Sequence, residues 1–250
     1  MAKRRVSNLL ALAVLATVAE RPSHPYEIST KLRTRGKETS IKINFGSLYS
    51  VVESLAKHGL IEAQETVRDG KRPERTIYAI TESGRAELED WLAELISTPK
   101  KEYTSFEAAL SLAAGLAPAE LSRLLTNRAT RLRMELGSVD AGLAYTEEMG
   151  LPELFVIEEQ YRKAVMEAEL AFVTSLAKRI ETDDLGGIAW WRKVHELQAQ
   201  GHTFEEIAQD PVRFLGEEAA RIAPFLQNCA KNPRAGAATP ARGTSSSRST

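Results

Sequence analysis

Residues suited to contact a polyanion occur in two short stretches of the sequence. The first stretch contains Lys42, Asn44, Ser47, Tyr49 and Ser50, and the second contains Lys71, Arg72 and Arg75. Hydroxyl and free N–H groups at the start of a helix suit phosphates and base edges. Guanidinium groups on a hairpin loop suit flanking phosphates or a minor groove. The two stretches together predict a nucleic-acid interface.

Each stretch also has a simpler interpretation. The serines could serve only as helix caps beside a solvated face, and three basic residues in a loop are commonly solvated turn charges. Arg75 could pair with Glu74 or Glu62 instead of DNA. For Tyr49, a contact to the DNA backbone is favoured over a contact to a base.

The elements around the first stretch are helical. Four apolar residues, Leu48, Val51, Val52 and Leu55, are spaced i, i+3, i+4, i+7, which predicts a helix that begins near residues 45–47 and ends at Gly59. An apolar helix is predicted near residues 6–20. A short amphipathic helix should follow, with Ser23 or His24 as its cap and Pro25 as its first residue, and end at Gly36.

The second stretch lies in a predicted β-hairpin. Residues 60–67 and 75–80 have strand patterns, and Asp69-Gly70 between them favours a turn. Thr81 should cap a further helix with an apolar stripe of Leu88, Trp91, Leu92, Leu95 and Ile96. Three helices, a hairpin and one helix predict a winged helix-turn-helix DNA-binding domain over residues 1–99.

Residues 100–182 are expected to form a long antiparallel helical region, so the fold class is mainly α. After a short helix at 104–116, one seam contains Leu121, Leu125, Ala129, Leu132, Leu136, Val139 and Leu143, and a second contains Leu154, Ile157, Tyr161, Val165, Ala168, Phe172 and Leu176. The seams are typical of coiled coils, and the break at Gly150-Leu151-Pro152 makes a hairpin. They should hold a homodimer together, although both could instead be satisfied within one chain.

The remaining sequence is less informative. Additional helices of unknown role are predicted within 183–230, including one at 212–228 and one that begins with the capping box Thr203–Glu206. Residues 231–250 are rich in Pro, Ala, Gly, Ser, Thr and Arg, and we expect a disordered tail there.

Charge is divided unevenly along the chain. Residues 1–81 contain 14 Lys and Arg against 8 Asp and Glu, whereas residues 82–250 contain 19 against 26. A basic front and an acidic remainder suggest that only the front meets a polyanion. The single cysteine, Cys229, cannot pair within the chain, which suits a reducing cytoplasm.

The N-terminus resembles a signal peptide in outline, because Lys3, Arg4 and Arg5 precede the apolar run Leu9–Ala19. That run is shorter than the roughly 18 residues of a membrane span. We therefore favour a buried first helix, a cytoplasmic protein and no membrane partner.

Residues capable of catalysis do not form a recognisable pattern. The four histidines, His24, His58, His195 and His202, lack metal-ligand spacing, and nucleophile-elbow, phosphate-loop and dinucleotide motifs are missing from the sequence. Asp183-Asp184 is better explained as a solvated corner than as a metal pair. We expect no enzyme activity, no cofactor and no metal site.

Five aromatic residues, Trp91, Trp190, Trp191, Tyr145 and Tyr161, could line a cavity for a small-molecule effector. The position of Trp91 in an apolar stripe favours a core or dimer-interface role instead. The sequence therefore identifies no effector site.

Four segments of the sequence resemble the PadR-type transcriptional regulators of bacteria, in particular the longer members with an extended helical C-terminal part. They are Gly46–Tyr49, His58–Ile61, Gly70–Tyr78 and Thr81–Arg85. The similarity is strong over residues 8–98, looser through 182 and undetectable beyond 185. Many members have proline after the tyrosine, where this chain has Ser50.

The resemblance implies a homodimer that binds an operator through paired winged helices and usually represses transcription. It also implies that the helix containing Gly46–Tyr49 is the recognition helix and that the Arg72-Pro73 segment belongs to the wing. Small-molecule effectors are known in this family. The alternative is a winged-helix and coiled-coil module that serves protein assembly without binding DNA.

Overall fold

The computed structural model describes residues 6–67 and 75–231, and the chain divides into two compact units, 1–102 and 103–250. The first unit contains α1 (Leu9–Glu20), α2 (Pro25–Thr34), α3 (Phe45–Lys57), β1 (Ile61–Val67), β2 (Arg75–Ile80) and α4 (Glu82–Ser97). This order of elements is that of a winged helix-turn-helix, as predicted. Of the tail predicted to be disordered, residues 231–250, Lys231 is the last residue of a helix, and the rest lies outside the described residues.

Helix α1 is the centre of the first unit. Asn8 caps it by accepting a hydrogen bond from the Leu10 N–H at 2.9 Å, so the helix begins three residues later than predicted. Its side chains are apolar on nearly every side, and Leu10, Val14 and Leu15 are at most 1% exposed. The prediction of a buried first helix is confirmed.

Helices α2 and α3 pack on α1 through one apolar face each. Ile28 of α2 and Leu48, Val52 and Leu55 of α3 lie in the same core cluster as α1. His24, one of the two predicted caps of α2, forms a capping box with Glu27, and Pro25 is the first helical residue. Helix α2 is therefore stabilised by its N-terminal capping box and by its buried apolar face.

Strands β1 and β2 form an antiparallel hairpin whose pairing begins at Ile61 opposite Ile80. The register shifts between Ala63 and Glu65, so Gln64 is an extra residue in β1. Ser23, just before α2, exchanges two backbone hydrogen bonds with Tyr78 of β2, at 3.0 and 3.1 Å. The hairpin is therefore attached to the α1–α2 connection as well as to its own neighbours.

The end of α3, the start of β1 and the start of α4 meet at one backbone junction. Gly59, at φ +70°, ends α3, and the N–H of Leu60 returns to the Leu55 carbonyl at 3.0 Å. The hydroxyls of Thr81 and Ser83 both donate to the Gly59 carbonyl, at 2.7 and 2.9 Å. We call residues Gly59, Leu60, Thr81, Ser83 and Gly84 the α3–wing junction.

Gly84 is required at this junction by lack of space. It is buried, and a Cβ added to it would lie 1.9 Å from the Leu60 carbonyl oxygen. That distance is far inside van der Waals contact, so any side chain at this position forces the backbone of α4 away from β1.

The apolar stripe predicted for α4 is only partly buried. Trp91 is 4% exposed and joins the core of the first unit, but Leu92 is 40% and Ile96 84% exposed. The apolar stripe is therefore buried at Trp91, in the core cluster that contains α1, and exposed toward its C-terminal end.

The second unit is entirely helical over the residues that the structure describes. It contains α5 (Ser105–Ser111), α6 (Pro118–Glu148), α7 (Ile157–Glu181), α8 (Ile188–Ala199), α9 (Phe204–Gln209), α10 (Pro211–Leu215) and α11 (Ala223–Lys231). Short 3₁₀ turns at residues 113–115, 153–155 and 217–221 separate some of them. Residues 212–228, predicted to be helical, lie in α10, the 3₁₀ turn 217–221 and α11, and Gly216 at φ +87° separates α10 from that turn.

Helices α6 and α7 form an antiparallel hairpin. Ser122 near the start of α6 donates to Glu181 at the end of α7 at 2.9 Å, and Lys163 pairs with Asp140 at 2.6 Å further along. The Asp140 carboxylate raises the pKa of Lys163. These pairs show that the two helices run antiparallel to each other.

The facing of the two predicted seams differs. The α6 seam is buried from Leu121 to Val139, as its spacing indicates, but it packs on α7 of the same chain. The α7 residues that meet it are Met166, Leu170, Val173, Ala177 and Ile180. The predicted α7 seam lies on another face of that helix, where Tyr161 is 72% and Phe172 50% exposed.

Helices α8–α11 add a small core of their own. Val194, Leu197 and Ile207 are buried together, with Phe204 and Phe214 against them. Helix α8 is tied to the rest of the second unit by the indole N–H of Trp191, which donates to the Leu116 carbonyl at 3.0 Å. Among the described residues, none of the helices is long and apolar enough to span a membrane.

We predict that Gly84→Ala destabilises the first unit by about 3 kcal/mol, since backbone overlap cannot be relieved by a rotamer change. The control is Gly142→Ala in α6, where a Cβ meets nothing within 4 Å and alanine should stabilise the helix by roughly 0.5–1 kcal/mol. Thermal unfolding followed by circular dichroism measures both changes. Equal melting curves for Gly84→Ala and the unmodified chain would contradict this role of the junction.

Candidate nucleic-acid interface

The first turn of α3 is built from polar residues that cap the helix. Asn44 Oδ1 accepts from the Gly46 N–H at 3.0 Å, and the Ser47 hydroxyl donates to the Asn44 carbonyl at 2.8 Å. The Ser50 hydroxyl donates to the Ser47 carbonyl at 2.8 Å. Both serine oxygens still have lone pairs for a further donor, and each hydroxyl can rotate toward an acceptor. A capping role and a DNA-contacting role are therefore compatible at these positions.

Tyr49 lies on the exposed face of α3. Its side chain is 53% exposed, whereas its neighbour Leu48 is 2% exposed. The helix thus presents Tyr49 and Ser50 to solvent while Leu48, Val52 and Leu55 hold it in the core. Removal of the Tyr49 ring would leave the apolar face of α3 intact.

Lys42 precedes this turn and is exposed. Within residues 6–67 and 75–231 it has no ion pair. A lysine in this state keeps its charge available for an anion. Its place two residues before the Asn44 cap puts that charge beside the positive end of the α3 dipole.

The predicted DNA contacts of the wing are not tested by the structure. Lys71 and Arg72 lie outside the described residues, in the segment 68–74 that connects the strands. Arg75 is the first residue of β2 and pairs in register with Val67. These three contacts stay predictions.

Several basic residues of the first unit are occupied by structural ion pairs. Arg35 donates through two nitrogens to the Glu20 carboxylate, and these bonds hold the pKa of Glu20 below its usual value. Arg33 lies 3.6 Å from Glu38. Burial lowers the pKa of Lys31, whose Nζ lies 3.4 Å from the Ser23 hydroxyl. These cations, in α2 and at its C-terminal cap, thus contribute more to contacts within the first unit than to a DNA-binding surface.

Sequence reasoning missed Tyr26. This residue occupies the first turn of α2 and is 65% exposed. The sequence contained a signal for this position. Pro25 and the capping-box residue Glu27 set the start of α2. That start places the Tyr26 ring outside the apolar face formed by Ile28 and Leu32. Exposed aromatic rings on both α2 and α3 are suited to contact sugar and phosphate.

The five aromatic residues considered for an effector cavity are distributed among different environments. Trp91 belongs to the core of the first unit, Trp191 packs on the α6–α7 core and Trp190 packs on the α8–α11 core. Tyr145 and Tyr161 are 62% and 72% exposed on the surface of the helical hairpin. Trp91 is thus a core residue, the role that its position in the apolar stripe favours.

Comparison with known proteins connects this geometry to a family. Residues 14–90 match the family model described as the transcriptional regulator PadR-like family. The matched segment runs from α1 to α4 and includes the α3–wing junction. Over these residues the chain is similar to the PadR-like transcriptional regulators.

One curated protein similar to this chain is a probable transcriptional regulator of Mycobacterium tuberculosis. It is 29% identical over 85 residues, which is 34% of this chain. The alignment spans 44% of the length of that relative. The chain thus spans less than half the length of that relative.

Solved structures of PadR are similar to this chain. The transcriptional regulator PadR from Bacillus subtilis matches with a TM-score of 0.55 at 17% identity, over 69% of this chain and 99% of that chain. A crystal structure of Bacillus subtilis PadR in complex with operator DNA matches with a TM-score of 0.49 at 19% identity, over 66% of this chain and 99% of that chain.

We predict that Tyr49→Ala lowers the affinity for a specific duplex by about 1–3 kcal/mol and leaves the melting temperature unchanged, because the ring is exposed. Tyr145→Ala, which removes a similarly exposed ring from α6, should change neither quantity. Fluorescence anisotropy with labelled duplex measures affinity, and circular dichroism measures stability. A loss of several kcal/mol of folding stability would assign Tyr49 to the core instead.

Proposed function

We propose that this protein is a sequence-specific DNA-binding transcriptional regulator that acts as a homodimeric repressor and is released by a signal. The observation that carries the proposal is that α3 has one buried face and one exposed face. One face is buried in the core, and the other presents Ser47, Tyr49 and Ser50 at the N-terminal end of the helix, where recognition helices contact DNA.

The charge of the first unit supports contact with a polyanion. The unit has an excess of six positive charges over residues 1–81, and four of them come from the segments 1–5 and 68–74. The second of these segments joins the wing strands, so it is suited to reach phosphates that flank the α3 contact. Lys42, which has no ion pair with another described residue, adds a cation near the start of α3.

The PadR fold supplies a precedent for the partner. Bacillus subtilis PadR, which shares the fold at a TM-score of 0.55, has been crystallised with operator DNA. We transfer to this chain the class of partner, duplex DNA, and not the operator sequence. The replacement of the usual proline by Ser50 changes the donors at the recognition turn, so base preference must be measured for this protein.

The homodimer is proposed from the apolar stripe on α7. Its residues that are about half exposed or more are Ile157, Tyr161, Val165 and Phe172, and Leu154 in the preceding 3₁₀ turn is exposed as well. A contiguous apolar stripe of this length is uncommon on a monomer surface and is typical of a helix that packs on another chain. A two-fold axis along this stripe would present two winged helices to half-sites about one helical turn, roughly 10 bp, apart.

Repression follows from occupancy. A dimer seated on an operator that overlaps a promoter excludes the polymerase, and a signal that lowers the affinity for DNA restores transcription. Transcription in vitro from such a promoter should fall as the protein is added. A rise in transcript would show activation instead.

We predict that Arg72→Ala weakens binding to all duplexes by a similar factor and lowers the slope of log K against log salt by about 1, because one phosphate contact is lost. Arg133→Ala, an exposed arginine of α6 outside the proposed interface, is the control and should leave the slope unchanged. A folded Arg72→Ala protein with the slope of the unmodified chain contradicts a phosphate contact at this position.

We predict that Phe172→Glu converts the dimer to a monomer at micromolar concentration, since a carboxylate is then placed in an apolar interface. Thr174→Glu adds the same charge to α7 at an exposed position off the stripe and should leave the dimer intact. Sedimentation velocity measures the state of association. If Phe172→Glu remains dimeric, the stripe is not the dimer interface.

The same pair of variants tests the coupling of dimerisation to DNA binding. The affinity of Phe172→Glu for a palindromic duplex should fall at least about tenfold, because each half-site is then bound separately. Its affinity for a single half-site should be unchanged.

A further inference from the structure

A cleft in the second unit lies beside the first turn of α8. It is lined by the loop between α7 and α8, by the end of α10 and by the 3₁₀ turn 217–221, and we call it the α8 cleft. Its volume is about 920 Å³, which lies within the range of about 300–1,000 Å³ that is typical of small-molecule sites. All of its lining residues lie beyond residue 182, outside the part of the sequence that resembles PadR-type regulators.

The apolar wall of the cleft is formed by side chains that the cores cover only in part. Trp190 packs on the small core of α8–α11 and Leu185 packs on the α6–α7 core, yet both remain half-buried. Leu215 and Ile222, on either side of the 3₁₀ turn 217–221, are half-buried as well. This wall is suited to take up an apolar side chain of a ligand.

Gly187 lets the Trp190 indole lie against the start of α8. A Cβ added to Gly187 would lie 2.5 Å from the indole nitrogen, and the φ of +85° at this residue is in the left-handed region. The indole N–H has no acceptor among residues 6–67 and 75–231. The ring is therefore a defined part of the wall, with a hydrogen-bond donor at its edge.

The first turn of α8 adds backbone donors to the cleft. Gly187 caps the helix without a side chain, and the N–H groups of Ala189 and Trp190 meet no acceptor in the described part of the chain. Such N–H groups attract a carboxylate. Arg221, on the 3₁₀ turn, adds an exposed guanidinium that has no ion pair with a described residue.

Two carboxylates line the same cleft. Asp184 and Glu217 are exposed, and neither has an ion pair with a residue that the structure describes. Asp183, by contrast, is engaged by Arg192 at 2.5 Å. The acceptors that are left for a ligand are therefore those of Asp184 and Glu217.

The charges that are left for a ligand have both signs. The two carboxylates are opposed by Arg221 and by the positive end of the α8 dipole, while Lys193 is held by Glu196 of the same helix at 3.5 Å. A ligand with a net charge meets repulsion as well as attraction in this cleft. A ligand with one ammonium and one carboxylate pairs with both signs.

We propose that the α8 cleft binds a short peptide that has free ends and apolar side chains. The ammonium group of the peptide binds Asp184 and Glu217, and its carboxylate binds Arg221 and the N–H groups of the first turn of α8. Its side chains lie on the wall around Trp190. The cleft is larger than one amino acid, which favours a peptide of two or three residues. This binding requires no DNA, so the site goes beyond the proposed function.

The test is calorimetric titration of the full chain with the dipeptide leucyl-phenylalanine. We expect one site per chain with a Kd of about 1 mM or below. The N-acetyl form lacks the ammonium and the C-terminal amide form lacks the carboxylate. Each should bind at least about tenfold more weakly, because a charge-assisted hydrogen bond is lost. If either form binds as tightly as the unmodified dipeptide, recognition of both ends is overturned.

Variants of the carboxylates test where the ammonium binds. Asp184→Asn combined with Glu217→Gln should weaken the binding of leucyl-phenylalanine about tenfold and leave the binding of its N-acetyl form unchanged. Glu147→Gln combined with Glu148→Gln removes two exposed carboxylates of α6 outside the cleft and is the matched control. An equal effect of the two double variants on leucyl-phenylalanine overturns the proposal.

Arg221→Gln tests where the carboxylate binds. It should weaken the binding of leucyl-phenylalanine about tenfold and leave the binding of the amide form unchanged. Equal weakening for both forms would show that Arg221 does not act through the carboxylate, and it would overturn this assignment.

Filling the cleft tests its location. Ala189 is exposed and lines the cleft, so Ala189→Trp should abolish dipeptide binding. Ala199→Trp places the same ring at an exposed position at the end of α8, outside the cleft, and should bind as the unmodified chain does. A folded Ala189→Trp protein that still binds the dipeptide overturns the proposal. None of these titrations uses DNA, so a chain that binds duplex but no dipeptide contradicts this proposal alone.

Discussion

The geometry of the first unit depends on the α3–wing junction, where α3, β1 and α4 meet. Two hydroxyl groups donate to one backbone carbonyl there, and a glycine without a side chain lets the backbones approach closely. The Gly59 carbonyl accepts from both Thr81 and Ser83, and the Leu60 carbonyl accepts from the Thr81 N–H at 3.1 Å. Gly84 is the residue that permits this approach. A recognition helix and a wing must contact one duplex together, so their relative position has to be set within the unit. The junction sets it through backbone atoms, which are less adjustable than side chains.

The first unit was predictable from the sequence because each of its signals is local. The capping residue His24, the spacing of Leu48, Val52 and Leu55, and Gly59 at a helix end each specify structure over a few residues. The order of the elements then leaves one common fold. The crowding at Gly84 was not predictable, because it arises between residues 24 positions apart that only the folded chain brings together.

The second unit shows where periodicity fails. Helix α7 has apolar residues on two faces, one through Tyr161 and Phe172 and another through Val173 and Ala177. Heptad spacing identifies apolar faces but does not say which partner covers each one. The face with smaller residues packs on α6, where close approach of two helices favours alanine and valine over aromatic rings. Ionic contacts such as Lys163 with Asp140 fix the register of that pairing.

In the candidate interface, likewise, the sequence located Asn44, Ser47 and Ser50 but not their mutual hydrogen bonds, which depend on hydroxyl geometry.

The central claim is that the first unit binds duplex DNA through phosphate contacts together with α3. The most direct measurement is the affinity of the full chain for a mixed-sequence 30-base-pair duplex, by fluorescence anisotropy, at several salt concentrations. Our account predicts a Kd of about 10⁻⁴ to 10⁻⁶ M near physiological salt and a linear fall of log K with log salt, with a slope of about −0.9 for each phosphate neutralised. Undetectable binding at low salt, or binding that does not change with salt, would contradict the account and favour a protein-assembly module.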